Sequence, residues 1–226
     1  MHYATILGTT ALALITTLAV SVISTLPIFR YNSRARLLHS DNGPVHCFVY
    51  LGSGGHTGEM LRLLNNYNAV FFRKDNVLDV GYSDEASLAK FKRMDFKNKE
   101  NVHINYHEFL KAREVNATKT QSLKSILYTL WNSTLIILKM KISMLGKSHL
   151  ILLNGPGTCC IIAVLFKVLQ IVSCTPSKIV YVESLARIDS LSLTGRILYL
   201  LVDEFVVQWD ELCKRYPRAK CYGILI

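Results

Sequence analysis

The feature that most narrows what this chain can fold into is a short apolar run that ends in a glycine-dense turn and leads straight into a helical pattern. Val45 to Leu51 reads as a buried strand, Gly52-Ser-Gly-Gly-His-Thr-Gly58 follows, and apolar residues then recur at helical spacing through Leu64. Strand, glycine turn and helix in that order open a doubly wound α/β domain.

The rest of the chain repeats the alternation. Strands are expected at Val77 to Tyr82, Val102 to Tyr106, 149–153, Ile179 to Val182 and Phe205 to Gln208. Helices are expected at Asp84 to Lys92, Thr120 to Leu145, 158–170, Leu191 to Leu201 and Glu211 to Tyr216. Leu150 to Phe166 is uncharged, but Asn154-Gly-Pro-Gly157 in its middle breaks any spanning helix, so it reads as strand, turn and buried helix. Strands alternating with helices imply a parallel sheet covered on both faces. The fold class is therefore α/β, one Rossmann-like doubly wound parallel sheet spanning 45–226.

Residues 3–29 carry no charged side chain and no His, and Arg30, Arg34 and Arg36 follow. About 20 apolar residues span a bilayer as a helix. The segment is expected to be an N-terminal transmembrane anchor over 1–29, with 30–44 a basic juxtamembrane linker. The positive-inside rule then puts the domain in the cytosol. A cleaved signal peptide is the rival reading, but the basic start and short apolar core of such peptides are missing.

The formal net charge is +10, which suits an anionic partner: a phospholipid surface or a phosphorylated substrate. No zinc-finger spacing or nucleic-acid motif is present, so nucleic acid ranks low. None of the 6 cysteines forms a C-x-x-C pair, and a reduced compartment fits best. The helix expected at Thr120 to Leu145 carries Lys124, Lys139 and Lys141. It packs on the sheet or rests on anionic lipid. His103 and His107 lie in a stretch that alternates like a strand, so no metal is expected there.

Ligands of doubly wound sheets bind beyond the carboxyl ends of the strands, and three loops there hold the candidate site residues. The first is Gly52, Ser53, Gly54, Gly55, His56, Thr57, Gly58 and Glu59. Its glycines and the helix start after it favour an anion, and His56 is a candidate acid–base group. It is neither a P-loop nor the dinucleotide fingerprint, whose third glycine would fall at Thr57. A tight turn with an incidental His is the structural alternative. The second loop is Asn154, Gly155, Pro156, Gly157 and Thr158, in which Thr158 could simply cap a helix. The third runs from Glu183 to Arg187. Glu183, at the end of an apolar strand, is the second acid–base candidate, and Arg187 could meet a diphosphate. A salt bridge between the two is the plainer reading.

Several long motifs in register add a resemblance. Leu51-Gly-Ser-Gly-Gly-His-Thr-Gly-Glu-Met60, Ala112-Arg-Glu-Val115, Leu153-Asn-Gly-Pro-Gly-Thr-Cys159, the stretch from Val182 to Gly195, Val207-Gln-Trp209 and Lys214-Arg-Tyr-Pro217 together resemble the membrane-anchor subunits of the UDP-N-acetylglucosamine transferase of asparagine-linked glycosylation. Residues 68–100, with Ala69-Val-Phe-Phe-Arg-Lys-Asp75 leading into the second strand, depart from the family pattern. The resemblance implies the N-terminal half of a GT-B glycosyltransferase, similar to the bacterial enzyme that makes lipid II. It implies that the chain presents dolichyl-diphosphate-GlcNAc at the endoplasmic reticulum while a separate cytosolic subunit binds UDP-GlcNAc, with no further cofactor.

In that scheme His56 and Glu183 are the catalytic candidates. Gly52, Ser53, Gly54, Gly55, Thr57, Glu59, Asn154, Gly155, Pro156, Gly157, Thr158 and Arg187 are the substrate-binding ones, and the apolar end Ile224, Leu225 and Ile226 is the docking tail for the partner. Two rivals stand beside it: a membrane scaffold without chemistry of its own, and a nucleotide-dependent membrane oxidoreductase, against which the broken fingerprint counts.

Overall fold

The computed structural model describes residues 16, 17, 20, 23, 44–110, 119–173 and 175–226. Its strands are β1 (His46–Leu51), β2 (Val77–Tyr82), β3 (His103–Glu108), β4 (His149–Asn154), β5 (Lys178–Val182), β6 (Glu204–Val207) and β7 (Ala219–Cys221). They form one parallel sheet in the order β3-β2-β1-β4-β5-β6-β7. The chain winds outward from β1 in one direction, then crosses back and winds from β4 in the other. The strand order therefore reverses between β1 and β4, where ligands of such sheets bind.

Helices cover both faces: α1 (Gly55–Asn66), the one-turn α2 (Asn68–Phe71), α3 (Glu85–Arg93), α4 (Lys119–Ser143), α5 (Thr158–Ser173), α6 (Leu193–Leu198) and α7 (Asp210–Arg215). Strand β1 explains why. All six of its residues are buried, and successive side chains point to opposite faces. Cys47, Val49 and Leu51 join a core with Met60, Leu63 and Leu64 of α1. Phe48 and Tyr50 join another with Ile137 and Met140 of α4 and Ile162 and Phe166 of α5. A central parallel strand of this kind is stable only between two layers.

Residues 68–100, the stretch that departs from the family pattern, form ordinary α/β structure for local reasons. α2 turns Phe71 and Phe72 into the core, where Phe72 stacks on Phe96 with ring centroids 4.7 Å apart. Asn76 joins this stretch to the start of β1: its Oδ1 accepts from Val45 N at 2.9 Å and its Nδ2 donates to Val70 O at 2.9 Å. Asp84 caps α3 by accepting from Ser87 N at 2.8 Å. At the other end Lys99 Nζ donates to the Lys92 and Met94 carbonyls at 3.2 and 3.1 Å. Lys99, the end of the basic stretch Lys90 to Lys99, thus satisfies a helix C-terminus.

Strand β7, the one-turn α2, the expected helix Leu191 to Leu201 and the expected anchor differ from the sequence reading. β7 was not anticipated. The helix contracts to α6 because Ser192 caps it, accepting from Gly195 N at 2.8 Å. Of the anchor at 1–29 only Thr16, Thr17, Val20 and Ile23 are described, all in helix. The rest of it, the linker to residue 43 and Ala112-Arg-Glu-Val115 lie outside the described residues. Among the described residues no helix is long and apolar enough to cross a membrane.

A second polar assembly sits at the opposite end of the sheet from the glycine loops. Lys141 Nζ, buried, donates to Thr175 O at 2.7 Å and Ser177 Oγ at 2.6 Å and lies 3.1 Å from His149 Nε2. His149 Nδ1 lies 3.0 Å from Lys147 O. These contacts define a neutral imidazole, protonated on Nδ1 and accepting at Nε2. Burial, with the Lys141 charge beside it, pushes the His149 pKa down to about 4 despite the bond to Lys147 O. Burial and the Lys167 charge push Lys141 down to about 8.

Candidate functional site

The glycine loop after β1 and the glycine loop after β4 leave adjacent strands at the switch point and pack directly on each other. A Cβ at Gly52 would lie 2.7 Å from Pro156 Cδ and 2.9 Å from His56 Cβ. One at Gly155 would lie 2.5 Å from His56 Cγ. Gly155 also has φ 108°, outside the range that L side chains favour. Both positions need glycine for the approach of the two loops, with the His56 ring laid over the Gly155 backbone. Gly54, with φ 66°, is the N-cap of α1, and no side chain bonds to the cap. The first-turn amides of α1 therefore have no side-chain acceptor, and no acidic residue lies in that turn.

Thr57 is wholly buried and holds the loop from beneath. Its hydroxyl donates to Gly52 O and sits 2.7 Å from Ser87 Oγ, which itself donates to Gly52 O at 3.2 Å. Gly55, Gly58 and Gly157 are different. A Cβ there would meet nothing within 4 Å, and their backbones are not in the left-handed region. The chain's own packing does not require glycine at these three positions.

Glu59, one helical turn past His56, gathers all three loops. Its Oε2 accepts from Asn154 Nδ2 at 2.9 Å, and its Oε1 accepts from Ser184 Oγ at 2.7 Å and Leu185 N at 3.2 Å. His56 Nδ1 stands 3.8 Å from Oε2, a distance for charge attraction but not for a hydrogen bond. Burial raises this carboxyl, yet His56, Ser184 and Asn154 together outweigh it and hold the group below the usual carboxylate range. Asn154, fully buried, gives its other amide hydrogen to Val182 O at 3.1 Å, and its Oδ1 has no partner.

Glu183 is placed differently from its expected catalytic role. It is 1 % exposed. One oxygen accepts from Ser184 N at 3.0 Å, and the other from Ser192 N and Ser192 Oγ at 3.1 and 3.0 Å. The carboxylate thus ties down both ends of the 184–192 loop. Gly195 is required beside it, because a Cβ there would collide with Glu183 Oε2. The salt bridge to Arg187 does not form: Arg187 is exposed and makes no ion pair among the described residues.

Ser53 is exposed at the loop tip, and Thr158 is buried at the first turn of α5. His103 is exposed, whereas His107 bonds through Nε2 to Asp79 Oδ1 at 2.9 Å. Four residues apart on a strand they are roughly 13 Å from each other, and no metal-binding cluster occurs among the described residues.

The end of the chain returns toward this site. Asn66 at the end of α1 donates to Leu225 O at 2.9 Å, Leu225 N donates to Gln208 Oε1 at 3.2 Å, and Gln208 Nε2 donates to Glu183 O at 3.0 Å. Leu225 and Ile226 rest against the α1-side core, while Ile224 and Tyr222 stay exposed. Sequence reasoning missed Ser184, Gln208, and Trp209, whose indole donates to Leu185 O at 2.7 Å. All three lay within quoted motifs, Ser184 in the third loop and Gln208 with Trp209 in Val207-Gln-Trp209, but none was singled out as a site residue.

A Rossmann-like lobe, with two packed glycine loops and two helix N-termini at its switch point, is the class that this fold and site define. Residues 47–225 match the family model described as oligosaccharide biosynthesis protein Alg14 like, and the chain belongs to that family. Its relatives include proteins named UDP-N-acetylglucosamine transferase subunit ALG14. The one from Kluyveromyces lactis is 46% identical over 94% of both chains. The one from Saccharomyces cerevisiae is 50% identical over 84% of this chain and 81% of its own, and the one from Rattus norvegicus 35% identical over 79% and 82%. Among solved structures, a UDP-glucosyltransferase from Polygonum tinctorium aligns with a TM-score of 0.48 at 10% identity, covering 83% of this chain and 53% of that one.

Proposed function

We propose that this chain is the membrane-held, acceptor-binding half of a two-subunit inverting transferase. The enzyme passes GlcNAc from UDP-GlcNAc to a dolichyl-diphosphate-linked GlcNAc on the cytosolic side of the endoplasmic reticulum. The observation that carries the reading is the pair of packed glycine loops and helix N-termini at the switch point: they make one wall of a crevice, and a partner that binds the sugar nucleotide supplies the other. The relatives' shared name, a transferase subunit, agrees.

The acceptor diphosphate lies against the first-turn amides of α1 and α5, with Gly55 and Gly157 leaving room for its close approach. Arg187, exposed and in no ion pair among the described residues, adds a cation. In the transfer the acceptor hydroxyl oxygen bonds to the anomeric carbon, the bond from that carbon to UDP breaks, and the hydroxyl proton goes to a base, His56. Glu183 organises the loop.

Two features support membrane placement besides the uncharged segment at 3–29. The outer face of α4 and the turn after it expose Tyr128, Trp131, Leu135, Leu138, Ile142 and Leu145 in a continuous stripe, with Val164, Val168 and Val172 exposed on neighbouring α5. No carboxylate occurs between Glu114 and Glu183, a span that holds seven lysines, Lys119, Lys124, Lys139, Lys141, Lys147, Lys167 and Lys178. Of these, Lys141 and Lys167 are buried, and Lys167 and Lys178 pair with Asp203 and Glu204; an apolar stripe beside the exposed Lys139 and Lys147 fits an anionic leaflet. Exposed Ile224 beside the seated Leu225 and Ile226 offers the partner a docking edge.

The test is His56→Ala in the assembled two-subunit enzyme. The reading expects complex formation to persist and turnover to fall about 100-fold or more, the usual worth of a proton-transfer group. Unchanged turnover would establish the scaffold reading instead.

A further inference from the structure

We infer that Glu59 is a positioning residue for His56: it holds the imidazole with Nδ1 turned inward and Nε2 presented to the crevice. The inference rests on the acid–base role proposed for His56 and assigns that role to one ring nitrogen.

Four observations carry it. Glu59 and His56 are three apart on α1, so their side chains share a face. His56 Nδ1 is buried with no hydrogen-bond partner, although a third of the His56 side chain is exposed, at 33%. The Cγ and Cδ2 side of the ring lies on Gly155. With Nδ1 and that side covered, the open part of the ring is the edge that carries Nε2. Finally, the carboxylate that stands 3.8 Å from Nδ1 cannot drift. Asn154, Ser184 and Leu185, from the loops after β4 and β5, hold both of its oxygens.

The gap of 3.8 Å closes to a hydrogen bond with roughly 1 Å of ring movement, the kind of tightening that substrate binding brings to catalytic contacts. Glu59 then fixes the tautomer. Nδ1 keeps its hydrogen for Glu59, and the Nε2 lone pair takes the acceptor hydroxyl proton. The imidazolium so formed is stabilised by the same carboxylate. The three-loop clamp makes this orientation depend on the correct seating of the Asn154 and Ser184 loops, so the base is aligned only when the acceptor wall is intact.

A double-mutant cycle in the assembled two-subunit enzyme tests this, assayed with UDP-GlcNAc and a lipid-diphosphate-GlcNAc acceptor. Glu59→Gln keeps the size of the side chain and an oxygen for Ser184 and Leu185. It should lower kcat about 10- to 100-fold, part of the ~10²–10⁴ attributed to general acid–base groups, with KM within about two-fold. In a His56→Ala background it should do nothing further, because groups that act as one unit are not additive. A loss of the same size in that background would overturn the inference and leave a plain structural clamp. A His56→Ala enzyme with full kcat would instead overturn the acid–base role of His56 itself. A second readout needs no variant. Nitrogen NMR of the histidine-labelled wild-type complex, at a pH where the ring is neutral, should show His56 protonated on Nδ1, and protonation on Nε2 overturns the inference.

Discussion

Replacing Glu183 by Ala separates a carboxylate that organises a loop from one that does chemistry. The side chain is 1 % exposed, and its two oxygens accept three hydrogen bonds. Bonds to a charged group contribute about 1.5–3 kcal/mol each, and a buried donor left without an acceptor costs about 1–3 kcal/mol. The three are not additive, because Ser192 Oγ remains free to rotate while it keeps accepting from Gly195 N. Ser184 N and Ser192 N are the groups left stranded, so the expected loss is about 3–5 kcal/mol of a total on the order of 5–15 kcal/mol. Glu183→Gln retains one acceptor but sets an amide hydrogen against a donor, and should lose about 2 kcal/mol. Urea titration of the full chain in detergent measures both. With exposed Trp131 replaced by Phe, tryptophan emission is a local reporter, because the Trp209 indole is bonded to Leu185 O in the same loop. A Glu183→Ala protein within about 0.5 kcal/mol of wild type whose transfer activity is nevertheless abolished would refute this reasoning and return Glu183 to the chemistry.

The glycines should divide into two groups. Gly155→Ala meets both a φ of 108° and the His56 ring, and should lose about 1–3 kcal/mol of stability. Gly55→Ala and Gly157→Ala meet open space and should change stability by less than about 1 kcal/mol while raising KM for the lipid-diphosphate acceptor, as thermal unfolding and initial rates would show. Stability should fall with acid in two stages. His149 has a folded pKa of about 4 against an ordinary 6.5, so the unfolded chain takes up the proton first. Its share, on the order of 3 kcal/mol at ~1.4 kcal/mol per pH unit, is present above pH 6.5 and lost between 6.5 and 4. Asp79 follows: burial raises its pKa, but bonds from His107, His46 and Asn105 outweigh burial and hold it well below the ordinary 3.8. Its stabilisation is present above pH 3.8 and lost below it. Urea titrations across pH 3–8, repeated with His149→Gln, should show the upper stage flattened in the variant.

The sheet was legible because its inner strands are buried on both faces and read as uncharged or nearly uncharged runs bounded by breakers. Val77 to Tyr82 was placed to the residue. Strand β7 was hidden because Ala219-Lys-Cys221 is three residues long and carries a lysine at the sheet edge, which no periodicity reveals. Residues 68–100 departed from the family pattern yet folded conventionally. Their stability rests on Phe72 stacked on Phe96 and on Asn76 tied to Val45, contacts invisible in local composition. The glycine loops announced a close approach of two segments at the switch point, which Gly52 and Gly155 make. What joins them was not legible. Glu59 finds Asn154 at a separation of 95 residues and Ser184 at 125, and only the crossover between β1 and β4 brings them together. Glu183 stood out as an acid closing an apolar strand, but its partners are the amides of its own loop, and a sequence does not display backbone direction.

The central claim is that one lobe owns one wall of the reaction crevice. GlcNAc transfer from UDP-GlcNAc to a lipid-diphosphate-GlcNAc acceptor measures it most directly, with the purified full chain assayed first alone and then with the proposed partner subunit added. The account predicts no transfer by the chain alone and turnover once the second subunit is present. Sustained transfer by the chain alone would contradict it.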